Sequence, residues 1–338
     1  MRYAMLLKPH PNVRYRQSLQ KLAPIEFQCI AEAWSIRGAR PEIALIQDEP
    51  FLTFETEEMT DGAWRALSSH SGICLAAVLE GDALKPLRRD QRAFLPEDLS
   101  QVLKYKGKTN ADFTRMLLHC AKAASAFARE DGPLCVLDPL CGKGTTLFCA
   151  LQEGDDGVGV ERDAKALEEA DRYFERFLQT HRLKYRKEAG ARTLPKGECA
   201  KTVSYSLSPS AESMKQGNVR TLRLIHGDTL QLNALVRAES AHLIVGDLPY
   251  GVQHAPRSGR EMSTLQGLVW EAMPLYAAAL RPGGVAALAF NTHTLKRREL
   301  AGAMRNAGLE VLDAPPYDDF EHWVEQAVNR DVVIARKG

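Results

Sequence analysis

Val136-Leu137-Asp138-Pro139-Leu140-Cys141-Gly142-Lys143-Gly144-Thr145-Thr146-Leu147 is the stretch on which the reading of this chain turns. Its apolar opening reads as a buried strand, its middle as a glycine-rich turn and its end as the start of a helix. Glycines at the end of a strand let the backbone approach a ligand closely, and a helix N-terminus offers free N–H donors. A dinucleotide fingerprint needs three glycines in the spacing G-x-G-x-x-G. Here Leu147 stands in the third place, and Asp138 precedes the turn. An acid there would repel a pyrophosphate and suit an ammonium group.

Outward from this stretch, three more strands end in acids. Residues 157–161 end in Glu161, 23 residues after Asp138, followed by Arg162. A carboxylate at that place accepts two ribose hydroxyls. Residues 222–226 run into Gly227-Asp228-Thr229, where a carboxylate can accept an adenine amino hydrogen. Residues 243–246 run into Asp247-Leu248-Pro249-Tyr250-Gly251. In a parallel sheet these ends share one crevice edge. An exocyclic amine conjugated to a base ring is a poor nucleophile. Hydrogen bonds from its N–H groups to Asp247 and to the Leu248 carbonyl favour a pyramidal nitrogen whose lone pair can be aimed. Pro249 shapes the turn, and Tyr250 offers a face for an extruded base.

From residue 112 onward, helical and apolar strand patterns alternate, which predicts an α/β, Rossmann-like, doubly wound and mostly parallel sheet. The helices are expected at 112–128, 145–152, 164–183, 264–280 and 295–307. Further strands are expected at 285–290, 309–312 and 331–335. No clear helix separates the last two, which lets the final strand run antiparallel. Residues 186–216 are rich in Lys, Gly, Ser and Pro and read as an insertion without periodicity. The first 95 residues read as strand, helix (25–34), strand, strand, helix, strand, the order of an α+β ferredoxin-like unit. The expected division is 1–95, an RNA-binding candidate, and 96–338. Residues 84–108 read as a linker, or as a nucleic-acid-facing strip carrying Arg88, Arg89, Arg92, Lys104, Lys106 and Lys108.

The 338 residues carry 44 Lys and Arg against 43 Asp and Glu, which excludes nucleic-acid binding by bulk charge. With 45% hydrophobic residues the chain builds a sizeable core. Seven scattered cysteines without a C-x-x-C pair argue against a disulfide framework or a metal knuckle and point to a reducing, cytoplasmic setting. Neither a secretory signal nor a membrane span is expected. Cys141 lies in the glycine turn, not in a Pro-Cys setting, so covalent pyrimidine chemistry is not expected. His254, Arg257 and Arg260 follow the Asp247 turn and are candidates for touching substrate; Asn291 is a candidate for the pocket wall. Trp270 and Trp323 read as core.

The set Asp138, Pro139, Cys141, Gly142, Gly144, Thr145, Glu161, Arg162, Asp228 and Thr229 resembles the cofactor site of class I S-adenosylmethionine-dependent methyltransferases over residues 110–338. The resemblance implies a seven-stranded methyltransferase sheet and S-adenosyl-L-methionine as cofactor. It also implies a cofactor contact from Phe113 and Thr114. Asp247-Leu248-Pro249-Tyr250 is similar to the D-P-P-Y motif of base amino-methyltransferases, with Leu248 in place of the first Pro. That form, with the basic segment at 104–109, resembles the THUMP-associated tRNA guanine-N2 methyltransferases. About 95 residues suffice only for the ferredoxin-like part of a THUMP domain. The implied function is methylation of guanine N2 in tRNA. The alternatives are an amino-methyltransferase of DNA adenine N6, cytosine N4 or ribosomal RNA, and a non-catalytic binding module. Expected partners are tRNA and neither metal nor membrane; a monomer is expected, with a partner subunit left open.

Overall fold

The computed structural model describes residues 1–81, 83–90, 93–102, 109–194, 199–249 and 265–338. The first part runs β1 (Arg2–Leu7), α1 (Val13–Ala33), β2 (Glu42–Ile46), β3 (Glu49–Glu55), α2 (Asp61–Ser68), β4 (Ile73–Glu80) and β5 (Ala83–Leu87). These strands form one sheet in the order β2-β3-β1-β4-β5, with every neighbour antiparallel. The expected order of six elements is present, with β5 added at an edge. Met5, Phe27, Ile30, Leu52, Phe54 and Leu67 fill its core.

The helix expected at 25–34 starts twelve residues earlier, at Val13. Asn12 caps it, its side chain accepting the N–H groups of Arg14 and Tyr15. Pro24, which lacks an N–H donor, hides this continuity in the sequence. Burial of Leu22, Ala23 and Ile25 around it keeps the helix intact.

The second part runs α3 (Leu99–Val102), α4 (Ala111–Ala124), β6 (Cys135–Asp138), α5 (Thr145–Gln152), β7 (Asp156–Glu161), α6 (Ala164–Thr180), β8 (Lys184–Thr193) and β9 (Cys199–Ser208). It continues through α7 (Ala211–Lys215), β10 (Arg220–His226), α8 (Leu232–Leu235), β11 (Ala241–Asp247), α9 (Leu265–Ala279) and β12 (Leu280–Asn291). It closes with α10 (Arg297–Asn306), β13 (Leu309–Leu312), β14 (His322–Glu325) and β15 (Val328–Lys337). The sheet order is β13-β15-β12-β11-β6-β7-β10-β9-β8, with β14 paired to β15. The pairs β6–β7, β7–β10, β6–β11 and β11–β12 are parallel, and β15 runs antiparallel between β12 and β13.

The sheet has ten strands, not seven. Residues 186–216, read as an unstructured insertion, belong mostly to the hairpin β8–β9, which extends the sheet beyond β10 in continuous register. Most of β8 is exposed on both faces, so its sequence KYRKEAGART carries no apolar alternation; its charges suit an edge strand. The linker reading of 84–108 also changes. Ala83–Leu87 is the fifth strand of the first sheet, and Leu95 and Leu99 are buried against Phe148 and Phe174. Trp270 and Trp323, read as core, are 41% and 37% exposed.

The two sheets are joined through α1. Phe27, Ile30 and Ala31 face the first sheet, whereas Leu22, Ile25 and Cys29 pack with Met116 and Cys120 of α4. Buried Glu26 sits at this seam. It accepts the Ser71 N–H at 2.8 Å and the Ser71 hydroxyl at 2.5 Å, and it lies 2.6 Å from Nδ1 of His119 and 3.5 Å from Nδ1 of His70. Burial pushes the Glu26 carboxyl up, but His70 and His119 outweigh it and hold it at about 2. Burial likewise pushes His119 down, and Glu153 and Glu26 raise it to about 9.

A histidine raised from 6.5 to about 9 stabilises the fold fully below pH 6.5, and this contribution is lost as pH climbs through 9. A carboxylate lowered from 4.5 to about 2 stabilises above pH 4.5 and loses its effect as pH falls through 2. The thermal midpoint should therefore decline on the alkaline side toward pH 9. Glu26→Gln should cost about 3–5 kcal/mol and shrink that decline. Calorimetry across pH checks both; an unchanged midpoint in the variant would remove the cluster from the account.

Candidate active site

The parallel ladders bring the strand ends to one edge. Val136 and Leu137 of β6 pair with Leu243 and Ile244 of β11, while Asp138 pairs with Gly159 of β7. Glu161 pairs with His226, and Asp247 with Ala289. The chain leaves β6 toward β7 on one side, and β11 lies on the other. This is the topological switch point, where a doubly wound sheet opens a ligand crevice.

The glycine turn is built as its sequence requires. Gly142 and Gly144 hold φ of +50° and +87°, left-handed values that favour glycine. A Cβ on Gly142 would meet nothing within 4 Å, so the outer face of the turn is open. The Cys141 N–H donates to the Val160 carbonyl at 3.0 Å, and its sulfur packs where a Cβ on Gly159 would lie, 2.7 Å away. Burial pushes the Cys141 thiol up, so it packs and does not attack. Pro139 follows Asp138 beside Gly246, and Thr145 opens α5, all eight residues of which are buried.

The acids differ in environment. Asp138 is 3% exposed and accepts the Leu140 N–H at 3.1 Å. Burial pushes its carboxyl up to about 7, against the opposing bonds from Thr146 and Leu140, with Glu161 and Asp247 adding to the rise. Gly246 makes room for it: a Cβ there would lie 3.2 Å from Asp138 Oδ1. Glu161 accepts the N–H of Gly142 at 2.8 Å and of Asp163 at 2.7 Å, tying the second strand end to the glycine turn. Asp228 accepts the Leu230 N–H at 2.9 Å and lies 3.6 Å from Arg162. Buried Thr229 shares a 2.7 Å hydrogen bond with the Tyr276 hydroxyl.

Asp247 lies across the switch point from the glycine turn. Its Oδ2 accepts the Thr109 hydroxyl at 2.7 Å and lies 3.4 Å from Nη2 of Arg330. The Leu248 N–H donates to the Ala289 carbonyl at 2.8 Å and its side chain is buried, which fixes the turn ahead of Pro249. Arg330 lies over the Phe113 ring at 4.4 Å, and Phe113 meets the His322 ring at 5.3 Å. Phe113 thus supports the cation beside Asp247. Thr114 turns its hydroxyl back to the Asn110 carbonyl at 3.0 Å.

Sequence reasoning missed Thr109, Tyr276 and Arg330. Arg330 is 83 residues from Asp247. Its only signal is a charged pair, Arg330-Asp331, directly before the apolar run Val332–Ala335.

Other candidates fall elsewhere. Arg88 is exposed, with its carbonyl accepting the Trp64 indole N–H. The Arg89 guanidinium is committed to the carbonyls of Ser68 and Ile73, so it clamps α2 and β4 and is not offered to a phosphate. Asn291 is buried, and its amide donates to the Ala327 carbonyl, which makes it a strand-end tie and not a pocket wall. Arg92, Lys104, Lys106, Lys108, Tyr250, His254, Arg257 and Arg260 lie outside the described residues. Among the described residues no three His, Cys, Asp or Glu side chains converge as a metal site, and no helix is long and apolar enough to cross a membrane.

No protein-family model matches the chain, and no curated protein matches it. Among solved structures, a TehB-like SAM-dependent methyltransferase from Corynebacterium glutamicum is similar at 14% identity, covering 69% of this chain and 90% of that one, with a TM-score of 0.40. A precorrin-6y C5,15-methyltransferase from Geobacter metallireducens is similar at 12% identity, covering 73% and 98%, also at 0.40. A geranyl diphosphate methyltransferase in complex with GPP and sinefungin is similar at 13% identity, covering 68% and 76%, at 0.37.

An acid raised from 3.8 to about 7 stabilises the fold in its protonated form, and that stability is lost as pH rises from 3.8 through 7. Asp138→Asn should therefore flatten the fall in thermal midpoint over this interval and leave the variant more stable than the parent at pH 8. A variant that follows the parent at every pH would show that Asp138 carries no such cost.

Proposed function

We propose that this chain is an S-adenosylmethionine-dependent methyltransferase that methylates an exocyclic amino group of a nucleic-acid base, with guanine N2 of tRNA as the substrate. The observation that carries the reading is the switch point: the glycine turn with Asp138 and Glu161 stands on one side, and the Asp247-Leu248-Pro249 turn on the other. The described residues fit the cofactor chemically. Buried Asp138, costly as a lone anion, suits a cationic ammonium; the open face at Gly142 suits close approach; Glu161 and Asp228 suit ribose and adenine donors.

When bound, S-adenosylmethionine supplies an electrophilic sulfonium methyl. The chain's own residues orient and polarise the acceptor. Asp247 and the Leu248 carbonyl accept hydrogen bonds from the amine, which keeps its lone pair directed into the crevice. Thr109 and Arg330 hold the Asp247 carboxylate in place from one side. The choice of tRNA over DNA rests on Leu248, on the basic segment at 104–109, and on a small N-terminal unit that we read as ferredoxin-like. A tRNA partner and a cytoplasmic location belong to the same proposal.

Four measurements test it. Glu161→Ala should weaken cofactor binding about tenfold to a hundredfold by calorimetry, through loss of charge-assisted hydrogen bonds. Asp247→Ala should abolish methyl transfer while cofactor affinity largely survives. Arg330→Gln should lower kcat and leave the KM for cofactor nearly unchanged, with Arg330→Lys partly restoring the rate. Unmodified tRNA transcripts incubated with enzyme and cofactor, digested and analysed by mass spectrometry, should contain N2-methylguanosine. N6-methyladenine in DNA with nothing in tRNA would replace tRNA by DNA as substrate.

A further inference from the structure

A cleft of about 690 Å³ lies at the seam between α1 and the β14–β15 hairpin. That volume falls in the range occupied by small-ligand sites. One wall is a stripe of α1: Arg14, Gln17, Ser18 and Lys21, at helical spacings of three and four residues. The facing wall carries Glu321, His322, Trp323 and Asn329, with the Glu321 carboxylate accepting the Asn329 amide N–H. The stripe is exposed or half-buried, whereas Leu22, Ile25 and Cys29 further along the helix are buried, so burial in the core does not explain it.

Two features give the cleft a chemical character. The Trp323 ring is 37% exposed and carries the Arg14 guanidinium at 4.1 Å from its centroid. The hairpin is clipped to α1 by the Ser18 hydroxyl, which donates to the Trp323 carbonyl at 3.0 Å, and by Lys21, which donates to the Glu321 carbonyl at 2.6 Å. The ring is therefore held in position while part of its surface stays in solvent. Lys21 is neutralised by Asp319 at 2.7 Å. Among the described residues, no carboxylate lies within ion-pair distance of Arg14.

A chain of buried side-chain contacts links the cleft wall to the candidate active site. His322, in its wall, meets Phe113; Phe113 carries Arg330; and Arg330 reaches Asp247. Burial holds His322 down at about 4, so it contributes a neutral ring to this chain of contacts. Asn329, at the floor, precedes Arg330 on β15 and ties the hairpin to the end of β12 through Thr292. A base presented to Asp247 stays attached to its own strand, and the neighbouring nucleotides must leave the crevice over a rim. Among the described residues, the α1/β14–β15 cleft offers such a rim, with the exposed Trp323 indole and the Arg14 guanidinium over it.

We propose that the α1/β14–β15 cleft binds a nucleotide of the substrate strand flanking the target base, with Trp323 as stacking face and Arg14 as the cation for base or phosphate. Aromatic stacking with an adjacent cation is how single-stranded nucleic acid is held without sequence readout. This inference rests on the nucleic-acid reading of the Asp247 site.

The test uses the full chain and unfractionated tRNA, with polyglutamate as a competing acidic probe. Trp323→Ala and Arg14→Ala should each raise the tRNA dissociation constant about fivefold to a hundredfold, whereas Trp323→Phe should bind nearly as the parent does. Arg14→Ala should also reduce the slope of log affinity against log salt by about 0.7–0.9 if the cation meets a phosphate. Cofactor affinity and the thermal midpoint should stay at parental values in all three. Parental tRNA affinity in both alanine variants, with Asp247→Ala still abolishing methyl transfer, overturns the cleft and leaves the proposed function standing. A parent that neither binds nor methylates any nucleic acid overturns the function and the cleft with it. Polyglutamate binding that depends on Arg14 and is not displaced by tRNA makes the cleft a peptide site and overturns the proposal.

Discussion

The parallel pairing of β6 with β11 is the constraint on which the site depends. Val136–Leu243 and Leu137–Ile244 are fully buried pairs, and their register brings the glycine turn and the Asp247 turn to the same edge of the sheet. A shift of one residue would turn every side chain to the opposite face and separate the two turns. Gly246 shows how close the approach is, because a Cβ there would crowd the Asp138 carboxylate. Apolar packing on both faces of the sheet therefore holds two acids nearer to each other than their own electrostatics favours.

That proximity has a cost concentrated at Asp138. Its carboxyl titrates near neutrality because burial and two neighbouring acids disfavour the charged form. Asp247 has a cation at its side, Arg330, itself supported on the Phe113 ring. The two sides of the crevice thus differ in kind: one is an acid suited to an incoming cation, the other an acid already oriented by the protein. A crevice of that asymmetry suits a positively charged cofactor on the first side and a neutral amine on the second.

The N-terminal sheet is seated by the Glu26 cluster. A buried carboxylate with two histidines and a serine around it favours one arrangement of α1 against α4, since any other would leave the charge unpaired. The same helix continues outward into the polar stripe that forms one wall of the cleft. The seam between the two sheets is accordingly a built surface, and it adjoins the strand ends.

Much of this was legible in the chain itself. Four short-range patterns, each an apolar strand running into an acid, a glycine or both, predicted the parallel sheet and the identity of Asp138, Glu161, Asp228 and Asp247. They were legible because buried strands and turns impose residue types locally, through burial and through left-handed backbone at Gly142 and Gly144. The edge strand β8 was not legible, because exposure on both faces leaves it no apolar period. The N-terminal half of α1 was masked by Pro24, whose local preference is overridden by packing. Arg330, Thr109 and the Trp323 cleft could be found only in three dimensions. They meet their partners across 83 or more residues, or across the seam of two sheets, and no local rule of spacing joins residues that only packing brings together.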